Sequence, residues 1–95
     1  MIRFDRPPAE ICAVLDCRRT GRPFEEGRPF ICCTHLALAG DAALTAHTNA
    51  AAGLIEARRR ADHPGNAMLL RAEARESTAW RRMLDQVAVK VEVRS

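Results

Sequence analysis

Apolar residues recur through the second half of the chain at the steps of a helix face. From Leu36 onward, Leu36, Ala39, Ala43, Leu44, His47, Ala51, Leu54 and Ile55 fall three or four residues apart, which predicts one apolar stripe on a long helix. Thr34 is a good N-cap for it, and its end is expected at about residue 61. Gly40 and Gly53 weaken this helix, and Asp41 offers a restart after a break at Gly40. His63-Pro64-Gly65-Asn66 is a stop and turn, with Asn66 placed to cap the next helix. A second stripe, Leu69, Ala72, Glu76, Ala79, Trp80, Met83 and Leu84, predicts a helix to about Leu84 or Asp85. The short turn makes the two helices antiparallel neighbours, an αα-hairpin with Trp80 against Leu44, His47 or Ala51.

The ends of the chain change period. Val87, Val89, Val91 and Val93 alternate with mostly polar residues, the period of a strand over about residues 86–94. Such a strand needs a partner. Candidates are a short N-terminal strand at Ile2–Phe4, ended by Pro7-Pro8, a hairpin further along, or another protein's sheet edge. That hairpin is expected where Arg22-Pro23-Phe24 and Arg28-Pro29-Phe30 flank Glu25-Glu26-Gly27, its prolines keeping both arms at sheet edges. Phe24 and Phe30 are expected to roof the adjacent cysteine cluster.

Cys12, Cys17, Cys32 and His35 stand in the order C-x4-C, fourteen residues, then C-x2-H. A tetrahedral zinc site needs four nitrogen or sulfur ligands delivered as two close pairs joined by a closing loop, which this spacing supplies. Cys32 and His35, three apart, share one side of a helix's first turn, whereas Cys33 and His35, two apart, point different ways. Cys12, Cys17, Cys32 and His35 are therefore the expected ligands of one structural zinc ion. Four protein ligands leave no open coordination position, so no catalysis is expected at the metal.

Composition supports this assignment. A chain of 95 residues with only Phe4, Phe24, Phe30 and Trp80 as aromatics has a thin core, and a metal would staple it. The first residues carry no apolar stretch of signal-peptide length and nothing spans a bilayer, so a cytoplasmic location is expected and metal is preferred to disulfides. The net charge is +3, and fourteen of the fifteen basic residues are Arg, a bias that weakens any inference from arginine to phosphate binding. Three thiolates and one zinc ion would bring the chain to about +2, low for a nucleic-acid binder.

Residues 12–35 resemble the small treble-clef zinc fingers with a C-x4-C and C-x2-H pattern found in phage and mobile-element proteins. The resemblance implies a metal knuckle, a hairpin and a ligand-bearing helix, and a module for DNA, RNA or protein binding. It also raises an HNH-type nuclease. That site needs a base histidine beside a metal-binding residue, and His47 and His63 lie instead on an apolar stripe and at a helix end.

The resulting expectation is a single domain over residues 1–95, mostly α with a small β part: a treble-clef-like knuckle and hairpin over about 9–36, an antiparallel αα-hairpin over about 34–85, and a terminal strand over about 86–94. Two functions are compatible with it. In the favoured one, Arg18, Arg19, Arg22 and Arg28 around the metal site contact nucleic acid, and the protein is a small regulator. In the other, it is a docking adaptor or assembly protein that binds a protein partner, the valine strand extending a partner's sheet. A homodimer would also cover the apolar helix face. No membrane contact is expected.

Overall fold

The computed structural model describes residues 9–25 and 27–93. The strand expected at Ile2–Phe4 lies outside them. Two short strands, β1 (Glu10–Ile11) and β2 (Thr20–Gly21), precede a one-turn helix α1 (Cys33–Leu36), a 3-10 turn (Ala37–Ala39) and the long helices α2 (Asp41–Arg60) and α3 (Ala67–Lys90).

The long helix expected from Thr34 is broken. Gly40 sits at φ +90, in the region that favours glycine, and α2 restarts at Asp41, whose carboxylate suits the positive end of the helix. Thr34 is not the cap of α1. Cys32 holds that position in an extended conformation without a side-chain cap bond, because its sulfur faces the cysteine cluster. Asn66 does cap α3, its side-chain oxygen accepting from the backbone N–H groups of Met68 (2.9 Å) and Leu69 (3.3 Å).

The terminal strand is corrected. Trp80, Met83 and Val87 continue the α3 stripe at three- and four-residue steps, so the alternating valines run on as helix to Lys90. Val87 is fully buried while Val89 is 80% exposed, the difference a helix imposes on residues two apart. Only the end is extended: Val93 forms one antiparallel bridge with Val14, and Leu15 N–H donates to the Glu92 carbonyl at 2.8 Å. Lys90 Nζ donates to the Leu38 carbonyl at 2.6 Å, fixing the end of α3 to the 3-10 turn.

The hairpin is also displaced. β1 and β2 pair antiparallel across the first cysteine pair, Glu10 opposite Gly21 and Ile11 opposite Thr20. The described residues of 22–30 form bends and turns, with no strand. Pro23 and Pro29 lack the N–H a ladder requires. Phe30 lies over Gly21, where any Cβ would collide with its ring.

Knuckle and helices share one hydrophobic cluster, in which Cys12, Val14, Ile31 and Cys32 meet Ala39, Trp80, Met83 and Val87. Leu44 and Ala43 of α2 pack on its edge. A smaller cluster of Leu54, Ala57 and Leu69 closes the far end of the helical hairpin.

Inside this framework lies a buried charge. Glu76, 1% exposed, occupies a stripe position and accepts two bonds from Arg28 (2.6 and 2.5 Å) and one from His47 Nε2 (2.7 Å). The Arg28 guanidinium also lies 5.2 Å from the centroid of the Trp80 ring. Phe24 stacks near Trp80 (6.3 Å) and meets His47 edge-on (5.2 Å), so it covers this network and does not roof the cysteines. The Arg28 hydrogen bonds hold the Glu76 carboxyl below its ordinary value of 4.5 against the opposing effect of burial, and His47 adds to the lowering.

Trp80 is 9% exposed, so the native protein should show blue-shifted tryptophan emission. Trp80→Ala should cost about 3–5 kcal/mol in denaturant unfolding, and a loss near zero would contradict the packing. For Glu76 the sign is set by its lowered native pKa. Its contribution is present above the unfolded value and is lost as pH falls through the lower native one. Glu76→Gln should therefore cost about 3 kcal/mol at pH 7, leaving Arg28 only its longer 3.8 Å pair with Glu25. The gap to the parent chain should narrow as pH drops below 4.5.

Candidate metal centre

Three chain segments deliver the four donors. β1 ends directly at Cys12, whose N–H donates to the Arg19 carbonyl at 2.8 Å. The chain then reverses through Asp16, at φ +67, and Cys17 N–H donates to the Val14 carbonyl at 3.1 Å. Asp is among the few residues that tolerate this left-handed conformation. The second segment, Phe30 to Cys32, is drawn against the first: Ala13 N–H donates to the Phe30 carbonyl at 2.7 Å, and Cys32 N–H to Cys12 Sγ at 3.3 Å. The third is α1, whose first turn carries His35 back over Cys32.

The donor atoms of Cys12, Cys17, Cys32 and His35 all lie within 4.8 Å of one another. The resolved edges are Cys12 Sγ to His35 Nδ1 at 3.8 Å, Cys17 Sγ to Cys32 Sγ at 3.9 Å and Cys32 Sγ to His35 Nδ1 at 3.2 Å. A tetrahedron with metal–sulfur bonds of about 2.3 Å has edges of about 3.8 Å, so one ion fits between these atoms. The sulfurs are too far apart for a disulfide, and all four cysteines are free. Cys33 is exposed and outside the group, as the helical spacing required. These four residues could hold one metal ion.

Two of the clustered thiols are shifted, in opposite directions. Burial pushes the Cys32 thiol up, but the His35 backbone N–H and bonds with Cys12, His35 and Cys17 together bring it down to about 6. Cys17 moves the other way: the Arg19 backbone N–H lowers it, yet burial and the neighbouring Cys12 and Cys32 raise it overall. A thiolate is the metal-binding form, and crowding several of them disfavours ionisation unless a cation sits between.

The arginines expected to contact nucleic acid do not stay together. Arg18, Arg19 and Arg22 are exposed on the knuckle, and Arg19 donates to Thr34 Oγ1. Arg28 turns inward to Glu76, its side chain 16% exposed. Arg58 pairs with Glu25 at 3.0 Å, and Arg59 and Arg60 with Glu56 at 3.5 and 2.9 Å. The Arg28–Glu76–His47 network escaped sequence reasoning, although a glutamate on an apolar stripe signals a buried partner.

Comparison with protein families, with curated proteins and with solved structures finds no match for this chain. The resemblance to treble-clef fingers thus rests on the spacing of the cysteines and histidine in the sequence alone. Among the described residues, no helix is long and apolar enough to cross a membrane.

Elemental analysis of the purified chain should find about one metal ion per molecule. Cys12→Ser, Cys17→Ser or Cys32→Ser should remove it, and Cys33→Ser should retain it. Retention by Cys32→Ser with loss in Cys33→Ser would overturn the ligand set.

Proposed function

We propose that this protein is a small, non-catalytic docking module, stapled by one zinc ion, whose helical hairpin α2–α3 presents the binding face to a protein partner. Zinc suits three thiolates and an imidazole in a closed tetrahedral set, and that set offers no position for substrate. The metal's role is then to hold the knuckle, α1 and the end of α3 in one unit.

The observation that carries the docking reading is an open groove of about 980 Å³ between α2 and α3, lined by Ala42, Ala43, Ala46 and Ala50 on one side and by Arg75 and Ala79 on the other. Charge at the knuckle argues against the nucleic-acid alternative, which placed the contact there. Arg28 is engaged with Glu76 and Arg58 with Glu25, which leaves the knuckle with Arg18, Arg19 and Arg22 beside exposed Asp16 and Glu10. Such a balanced surface lacks the excess that drives counterion release.

Titration of the zinc-loaded chain against duplex DNA, single-stranded DNA and RNA at low salt should therefore show no binding. Saturable binding that falls steeply with salt, and that Arg18→Ala with Arg19→Ala weakens while zinc is retained, would overturn docking in favour of a nucleic-acid-binding regulator.

A further inference from the structure

The groove between α2 and α3 continues beyond its larger part. A second stretch of about 370 Å³ shares Asn49, Ala50 and Arg75 with the first and extends along Gly53, Glu56 and Arg60. Its two walls differ in chemistry. The α2 wall is small and mostly uncharged, with Ala42, Ala46, Asn49 and Gly53 at three- and four-residue steps, and open space where a Gly53 Cβ would be. The α3 wall carries Arg71, Arg75 and Arg82, spaced to share one helix face. Across the whole groove, four arginines (Arg60, Arg71, Arg75 and Arg82) face two carboxylates, Glu56 and Asp85. Glu56 is already held by Arg59 and Arg60, and among the described residues Arg75 and Arg82 form no ion pair.

We infer that this groove takes an acidic amphipathic helix of a partner protein, its small apolar face on the alanines and its acidic edge along Arg71, Arg75 and Arg82. This rests on the docking reading above and names its partner's chemistry. A floor of small side chains lets a third helix approach to the usual interaxial distance of about 8–10 Å. Carboxylates at matching helical spacing would meet arginines that form no ion pair among the described residues. A second copy of this chain is disfavoured, because its α3 would bring Arg71, Arg75 and Arg82 against the same arginines.

The test uses two synthetic amphipathic helices of about 20 residues, identical except for Glu or Lys along one edge, titrated against the full zinc-loaded chain. The Glu peptide should bind at least about tenfold more tightly than the Lys peptide and weaken with salt. Arg75→Glu with Arg82→Glu should reverse that preference, and Ala46→Trp, at an exposed position, should abolish binding while helix content and zinc are kept. Groove-dependent binding without charge preference would overturn the acidic partner and leave docking standing. Binding of neither peptide, or a dimer that Ala46→Trp dissociates, would overturn the inference, the latter by assigning the groove to a second copy. Failure of docking itself would show separately, as salt-steep nucleic-acid binding through Arg18 and Arg19.

Discussion

Three sulfur atoms and one imidazole nitrogen, drawn from three chain segments to within 4.8 Å, are the constraint on which this structure depends. Two-residue strands and a one-turn helix have almost no stability of their own, since neither a lone hairpin nor a short helix persists in water. What fixes them is the convergence of Cys12, Cys17, Cys32 and His35. Cys12 and Cys32 belong at the same time to the hydrophobic cluster that includes Trp80, Met83 and Val87. Gathering the donors therefore also builds the main core. Without a cation, the same convergence would crowd thiols that resist ionising together.

A second clamp acts at a distance from the cysteines. The ion pair of Arg28 with Glu76, supported by His47, joins the loop between the two ligand pairs to both long helices. A buried pair of this kind gives little net stability over an apolar substitute, yet breaking it is costly because one charge is left alone. Its effect is specificity. It tethers the loop to α2 and α3, and Phe24 and Trp80 shield it from water. The clamp and the cysteine and histidine cluster lie on the knuckle side, while the small-residue groove stays open.

Local features were legible in the sequence, and distant ones were not. The cysteine and histidine spacing, the Asn66 cap and the apolar stripes each depend on residues within a turn or two of one another. The structure brings the four donors together, forms the cap and buries most of both stripes, Ile55, 57% exposed, being the exception. The break at Gly40 was legible as an option, because a glycine followed by aspartate suits both a stop and a start. The tail misled because Val87, Val89, Val91 and Val93 satisfy a strand's period, while Trp80, Met83 and Val87 continue the helical one. Contact with Met83 and the knuckle core decides between them. The hairpin moved because pairing of Glu10 with Gly21 and Ile11 with Thr20 bridges the first cysteine pair, where the prolines do not interfere. Arg28 and Glu76 are 48 residues apart, and no local pattern announces their pairing.

The functional account rests on the metal being structural and bound by this set of four. X-ray absorption fine structure at the zinc edge of the purified full chain tests that claim most directly. The expected first shell is three sulfurs at about 2.3 Å and one nitrogen at about 2.0 Å, with no water oxygen. A shell of four sulfurs would bring Cys33 into the site, and a shell containing solvent oxygen would open it to chemistry; either result would contradict the closed centre formed by Cys12, Cys17, Cys32 and His35.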